Sequence, residues 1–204
     1  MRLIKKIIAA TTLFAVALTF TSCNKFYTQV SLDELSKQAE KLPTSEYSKL
    51  TCTYYTKTKE TDGKESRKDY TLHFKYEKGL LSSYAWTSTD KLSIADNLVA
   101  LEISTKIGYS DLKSVIESIK SEGTTAGYKF YYKENLFRIE YSYEKKYDNN
   151  NYTFSTASYE FNEVGLPTLI YEFNETAEDG KAFSTAVSYT NKYEKEVVTT
   201  STNA

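Results

Sequence analysis

The stretch FRIEYSYE, residues 137–144, decides the fold class, because apolar and polar residues alternate along it without interruption. Successive side chains of a β-strand point to opposite faces, so one face of this strand is apolar and the other is polar. The same alternation occurs in residues 70–76, and a related pattern lies near the C-terminus in residues 183–189. These segments predict an antiparallel sheet that is covered on one face.

A recurring turn motif joins the predicted strands. It appears as FKYEKGL at residues 74–80, as FYYKENL at residues 130–136 and as YEFNEVGL at residues 159–166. Glycine and asparagine tolerate positive φ, so we predict hairpins with positive φ at Gly79, Asn135 and Gly165. Three further hairpin signals are Asp62-Gly63, Asp148–Asn151 and Asp179-Gly180.

Apolar residues at helical spacing predict three helices. The first begins at Ser31, which can cap it together with Glu34, and it ends before Pro43. The last has Ser110 as its N-cap and ends before Gly123. The middle segment, residues 94–107, fits either a helix or a buried strand, and its uninterrupted length favours the helix.

We therefore expect an α+β fold, with a curved, largely antiparallel sheet of about eight strands in hairpin meanders and with helices packed on one face. The element order resembles that of the outer-membrane lipoprotein carriers and their lipid-binding mycobacterial relatives, which implies a half-open barrel. The alternative is a flat sheet with much of its area in solvent, as in some spirochaete surface lipoproteins. The expected strands are residues 47–60, 66–77, 80–88, 127–134, 136–147, 151–162, 167–175 and 181–195.

The N-terminus has a pattern typical of export. Three basic residues within the first six precede an uncharged run from Ile7 to Phe20. A basic segment before such a run predicts a secretory signal, and the run is shorter than the roughly 20 residues of a membrane span. The residues Phe20-Thr21-Ser22-Cys23 that follow resemble the lipobox of bacterial lipoproteins. In that family a peptidase cleaves before the cysteine, so the resemblance implies that the sulfur of Cys23 carries a lipid.

Two alternatives to lipidation stay open: secretion after cleavage at Ala15-Val16-Ala17, or an uncleaved anchor. The lipoprotein interpretation divides the chain into a signal peptide (1–22), a lipid anchor with a short tether (23–30), one α+β domain (31–196) and a polar tail (197–204). It places the protein on the extracytoplasmic face of a bacterial cell membrane or outer membrane, held there by its lipid anchor.

The composition excludes several classes of function. The 204 residues include 26 basic and 27 acidic ones, so the chain lacks the basic excess of a nucleic-acid-binding protein. His73 is the only histidine and there are only two cysteines, so we predict no metal site, no cofactor and no catalytic triad. Cys52 lies in a strand pattern without a neighbouring histidine, which favours a small buried apolar residue. We expect a non-enzymatic monomer.

Tyrosine is the remaining functional signal, with 19 copies in the chain. Tyrosine is favourable in strands, which accounts for most of them, but its amphipathic ring also suits a binding groove. We predict a membrane-tethered binding or interaction domain with a cell-envelope protein partner, or alternatively a carrier of a lipid or other apolar ligand. The residues predicted to line a ligand are Phe130, Tyr132, Phe137, Ile139, Tyr141 and Tyr143. The alternative for these side chains is a dry core against Leu112, Ile116 and Ile119.

Overall fold

Nine strands and three helices form the described structure, a computed structural model that covers residues 27–43, 47–78, 80–87 and 94–195. The helices are α1 (Leu32–Glu40), α2 (Ile94–Gly108) and α3 (Leu112–Glu122). The strands are β1 (Thr28–Val30), β2 (Lys49–Lys59), β3 (Glu65–Glu77), β4 (Leu80–Thr87), β5 (Tyr128–Lys133), β6 (Leu136–Lys146), β7 (Tyr152–Phe161), β8 (Pro167–Glu178) and β9 (Lys181–Glu194).

All the described strands belong to one open antiparallel sheet in the order β1-β5-β6-β7-β8-β9-β2-β3-β4. Two meanders build this sheet, one from β5 to β9 and one from β2 to β4. They join where β2 pairs with β9 along its whole length, from Lys49 opposite Glu194 to Lys59 opposite Ser184. The predicted antiparallel sheet is thus confirmed, and β1 and β4 are its two edges within the described residues.

The first core cluster lies between α1, α3 and the strands β5, β6 and β7. Apolar residues of α1 and α3 recur at helical spacing, and this stripe packs on the apolar face of the strands. Ser31 caps α1 as predicted, since its Oγ accepts the backbone N–H of Glu34 at 3.1 Å. The buried members of the cluster are Leu35, Ala39, Leu112, Ile116, Ile119, Phe130, Phe137, Ile139 and Phe161.

The second core cluster lies between α2 and the strands β2 and β3. It is the reason why residues 94–107 form a helix: Ala100, Ile103 and Ile107 recur at helical spacing and all three are buried. The strand residues that they meet are Leu50, Cys52, Leu72 and Phe74.

The sheet extends beyond both clusters. The five residues that begin β3, 65–69, and the five that end β6, 142–146, are exposed on both faces of their strands. Cross-strand contacts hold this part together. Tyr152 donates its hydroxyl hydrogen to Glu175 Oε1 at 2.6 Å, and Lys57 Nζ lies 2.7 Å from Glu65 Oε2.

Two local predictions are wrong. Residues 28–30, assigned by the sequence to the tether, form β1 and pair with β5, so the described strands number nine instead of eight. A three-residue edge strand is too short to show a period, which is why it was missed. Asp111 caps α3 instead of Ser110, because its carboxylate accepts the backbone N–H groups of Lys113 and Ser114 at 3.0 and 3.1 Å.

The turn predictions are met in part. Gly165 has a φ of 80° as predicted, but in the second copy of the motif the positive φ of 54° is at Glu134 and not at Asn135. Gly79 lies outside the described residues, and its neighbour Lys78 has a φ of 51°. In the hairpin between β8 and β9, Asp179 and Gly180 both have positive φ, which is the geometry of a two-residue type I′ turn.

Gly165→Val is expected to lower the free energy of unfolding by about 2–3 kcal/mol, from backbone strain together with overpacking. A Cβ at Gly165 would lie 3.0 Å from Leu42 Cδ1 and 3.4 Å from Leu112 Cβ. Gly63→Val is the matched control, because Gly63 has a φ of 88° with nothing within 4 Å. In this control only backbone strain is expected, and it should lower the free energy of unfolding by about 1 kcal/mol. Equal urea midpoints for the two variants would contradict the packing role of Gly165.

Candidate functional site

The six residues predicted to line a ligand occupy different environments. Phe130, Phe137 and Ile139 are buried in the first core cluster with Leu112, Ile116 and Ile119. This is the dry core that was predicted as the alternative to a ligand-lining role. Tyr132 is half-buried against the same cluster. Tyr141 lies farther along β6, where it lines an open cavity. Tyr143 follows it on the same face and is 43% exposed.

The cavity beside Tyr141 has a volume of about 300 Å³. Two rows of directly opposed residues cross β6, β7 and β8 here: Tyr141–Ala157–Glu172 and Tyr143–Ser155–Asn174. Opposed residues share a face of the sheet, so an aromatic column, a column of small residues and a polar column stand side by side. We call these six residues the tyrosine groove. The cavity itself is lined by Tyr141, Ser155, Thr156, Ala157, Glu172 and Asn174.

The dimensions of the groove follow from strand geometry. Neighbouring strands lie about 4.7–4.9 Å apart, so the aromatic and polar columns are roughly 9–10 Å apart. Ala157 and Ser155 stand between them and have short side chains, which leaves a trough with a small-residue floor. Its volume lies at the lower end of the roughly 300–1,000 Å³ typical of small-molecule sites.

Glu172 is fixed on the polar side of the groove. Its Oε1 accepts a hydrogen bond from Lys106 Nζ at 2.6 Å and another from the Tyr159 hydroxyl at 3.0 Å. Lys106 lies in the last turn of α2, so the helix that covers the second core cluster also orients this carboxylate. The ammonium group neutralises the carboxylate charge at the groove.

The aromatic side is held by β5. The rings of Tyr128 and Tyr141 are 4.7 Å apart between centroids, and Tyr128 donates its hydroxyl hydrogen to Glu122 at the end of α3, 3.1 Å away. Gly127 precedes β5 with a φ of 82°, and a Cβ there would lie 3.3 Å from Tyr141 Cε2. Glycine is needed at this position because the backbone carbonyl of Ser142 also leaves no room for a side chain.

Burial and acidic neighbours raise the pKa values of Tyr128, Tyr159 and Tyr189. Burial is the main cause that raises the pKa of Tyr159, and the Glu172 carboxylate adds to it. Burial also raises the pKa of Tyr189, with Tyr54 as the next contributor. Burial and the Glu122 carboxylate raise the pKa of Tyr128 to about 12. These hydroxyls are therefore neutral hydrogen-bond donors at physiological pH.

The folded domain is expected to lose stability as the pH rises above about 10, where tyrosines ionise in an unfolded chain. The pKa values of Tyr128 and Tyr159 are raised in the folded state, so their contribution is complete below that pH and is lost as the pH rises through the folded values. Urea unfolding at about pH 7 and at about pH 10.5 measures the effect. A midpoint that does not fall at the higher pH would contradict it.

Two reactive side chains elsewhere in the described residues, His73 and Cys52, are engaged or buried. His73 is exposed, and its Nδ1 and Nε2 lie 3.2 Å from Thr51 Oγ1 and 3.4 Å from Thr87 Oγ1. Burial raises the pKa of the Cys52 thiol to about 12, so the thiol stays protonated and a poor nucleophile. Within the described ranges, no group of three or more His, Cys, Asp or Glu residues is arranged to hold a metal ion.

The sequence pattern missed a buried ionic cluster on the other face of β6. Alternation assigned Arg138 and Glu140 to a water-facing surface, but Arg138 is 4% exposed. Its guanidinium pairs with Glu160 on β7 and lies 3.7 Å from Glu140. The ring of Tyr27 lies 5.0 Å from Arg138 Cζ. The opposite charges at Arg138 and Glu160, which stand directly opposite each other, are the signal that could have revealed it.

Comparison with protein-family models, with curated proteins and with solved structures gives no match for this chain. In the part of the chain that the structure describes, no helix is long and apolar enough to cross a bilayer. Cys23 and the predicted signal peptide lie outside the described residues, as does the polar tail. The candidate site therefore rests on the groove geometry alone.

Proposed function

We propose that this protein is an exported bacterial lipoprotein, tethered to the membrane through Cys23, whose folded domain is a non-enzymatic binding module. The tyrosine groove is its binding site. The lipobox-like residues before Cys23 support the tether, and the short distance in sequence from Cys23 to Tyr27 would keep the sheet near the membrane surface.

We also infer that the three helices share one face of the sheet. A row of directly opposed residues runs from Ile139 through Tyr159, Ile170 and Tyr189 to Tyr54. Its first residue packs in the cluster of α1 and α3, and its last packs in the cluster of α2. In this arrangement the groove lies on the same face of the sheet as the helices. It occupies the part of β6, β7 and β8 that extends beyond the two core clusters.

The observation that carries the proposed binding function is the trough itself. Large rings stand on one side, polar groups on the other, and small residues leave the floor open between them. A single groove with a few convergent polar groups is the usual form of a small-molecule site. The Asn174 amide is exposed and has no side-chain hydrogen bond within the described structure, so it is available to a ligand.

Filling the trough tests the binding function. The full chain in phospholipid nanodiscs is incubated with an extract of bacterial envelope small molecules, and retained molecules are identified by mass spectrometry. Ala157→Trp should abolish retention, because the indole would occupy the floor between Tyr141 and Glu172. Ser66→Trp, at an exposed position of β3, is the matched control and should retain as much as the wild type. Equal retention by both variants, or none by the wild type, would contradict a binding site in the groove.

Lipidation is tested at the cysteine itself. Cys23→Ala should abolish metabolic labelling with palmitate and processing at this position, because no sulfur is left to carry diacylglycerol. Cys52→Ala is the control and should leave the labelling unchanged, since that thiol is buried. Labelled protein that persists in Cys23→Ala would refute the tether.

A further inference from the structure

We infer that the ligand of the tyrosine groove is a neutral saccharide, one to a few sugar rings long. This inference rests on the proposed binding function and adds the chemical class of the ligand. A sugar ring has two kinds of surface, a hydroxyl-bearing rim and patches of C–H groups. The groove presents a matching pair of surfaces on opposite sides of one trough.

The aromatic column suits the C–H patches. Tyr141 and Tyr143 are two residues apart on one strand and therefore on one face, so their rings follow each other along the groove. The face of an aromatic ring is the negative part of its quadrupole and attracts weakly positive C–H groups. Tyr143 does not belong to either core cluster and is 43% exposed, so its ring is accessible to a ligand.

The polar column suits the hydroxyl rim. Asn174 offers both a donor and an acceptor, and Glu172 offers carboxylate oxygens that accept hydroxyl hydrogens. Oε1 of Glu172 is the oxygen that Lys106 and Tyr159 bind, and they hold the carboxylate in place. The spacing of these two residues along β8 matches that of the two tyrosines opposite them, since both pairs lie in the same two rows.

The charges of the groove favour a neutral ligand. Glu172 alone would attract a cation, but Lys106 Nζ lies 2.6 Å from its Oε1 and cancels its charge. An anionic ligand would meet the same carboxylate without any basic residue among those that line the cavity. A cation would be repelled by the Lys106 ammonium group.

The floor and polar side of the groove disfavour an acyl chain. Ser155, Glu172 and Asn174 would lose water to an apolar ligand without gaining hydrogen bonds, which costs free energy for each group. The apolar residues that would suit a lipid, Phe137 and Ile139 among them, are instead buried in the first core cluster. A polyhydroxylated ligand replaces the lost water contacts with hydrogen bonds.

The test is isothermal titration calorimetry of the full chain in nanodiscs of phosphatidylcholine and phosphatidylglycerol, which contain no glycoside detergent. The probes are maltotriose, cellotriose and the trimer of N-acetylglucosamine, with phosphorylcholine and inorganic phosphate as charged probes. We expect at least one trisaccharide to bind and neither charged probe to do so. Asn174→Ala and Tyr143→Ala should each raise the Kd of that trisaccharide by about tenfold or more.

Two matched variants control for unrelated effects. Thr176→Ala lies on the same strand and face as Asn174 but one row beyond the groove, and Tyr109→Ala removes a tyrosine that is 78% exposed after α2. Both should bind as the wild type does. The thermal melts of Asn174→Ala and Tyr143→Ala should match that of the wild type, because both side chains are exposed, so a raised Kd would not reflect unfolding.

Each adverse result has a distinct meaning. Trisaccharide binding that is unaffected by Asn174→Ala and Tyr143→Ala would overturn the inference. Phosphorylcholine binding that these variants abolish would replace the saccharide with a zwitterionic phosphate ester. An envelope lipid that the wild type retains and Ala157→Trp loses, without saccharide binding, would refute the ligand class but leave the proposed binding function standing. A wild type that binds none of the probes and retains nothing from the envelope extract would refute both.

Discussion

Leu35→Asp is expected to lower the free energy of unfolding by at least about 4 kcal/mol, which is a large fraction of the roughly 5–15 kcal/mol of an ordinary domain. Leu35 has no exposed surface, and it lies in the cluster where α1 meets α3 and β5. An aspartate there has no partner for its charge, so it must either desolvate or take up a proton, and both cost free energy. The loss of the leucine side chain adds a cavity.

Leu101→Asp is the matched control for this change. Leu101 also lies on a helix but is 45% exposed, so its aspartate stays hydrated. We expect its urea midpoint to stay close to that of the wild type, within about 0.5 kcal/mol of stability. If Leu35→Asp were as stable as Leu101→Asp, α1 would not be part of the core in solution.

The long strands could be predicted from the sequence because their pattern repeats over many residues. The alternation in β6 runs over residues 137–144, and the observed strand, Leu136–Lys146, differs by one residue from the predicted 136–147. The pairing of β2 with β9 was not predictable in the same way. These strands lie far apart in the sequence, and alternation says which face a residue occupies but not which strand lies beside it.

The candidate groove could be predicted only in part, because its polar side depends on the register between β7 and β8. The pattern on β6 correctly singled out Tyr141 and Tyr143 as side chains of one face, but Glu172 was missed. Counting back from the pair Phe161–Pro167 would place Tyr171 opposite Ala157. The register shifts between Glu160 and Phe161, so Glu172 lies there instead. A one-residue shift exchanges the two faces of a strand, so the polar side of the groove depends on a bulge that no residue pattern indicates.

The buried guanidinium explains why a charged strand face can still be part of the interior. Tyr131, Arg138 and Glu160 lie in one row across β5, β6 and β7, on the face opposite Ile139. Tyr131 is 7% exposed, so this face also excludes water locally. The ring of Tyr27 adds cover from the segment that precedes β1, 5.0 Å from Arg138 Cζ. The cluster thereby connects the start of the described chain to β5, β6 and β7.

Arg138→Met is therefore expected to lower the free energy of unfolding by about 2–4 kcal/mol, because it leaves two carboxylates without their buried cation. The value falls below that of a fully buried pair, since the side chains of Glu140 and Glu160 are 19% and 30% exposed and can recover some hydration. Lys146→Met is the matched control: its pair with Glu144 is exposed, and its loss should cost less than about 0.5 kcal/mol.

The double variant Arg138→Met with Glu160→Leu separates the two causes of the loss. Arg138→Met destabilises the fold in two ways, because it leaves the Glu160 carboxylate without a partner and removes the packing contacts of the arginine side chain. Only the first of these is relieved when Glu160 is made apolar. We expect the double variant to be more stable in urea than Arg138→Met alone, although the remaining Glu140 keeps it below the wild type. If Arg138→Met unfolded at the same urea concentration as Lys146→Met, the guanidinium would be hydrated in solution and the row Tyr131–Arg138–Glu160 would be an ordinary surface.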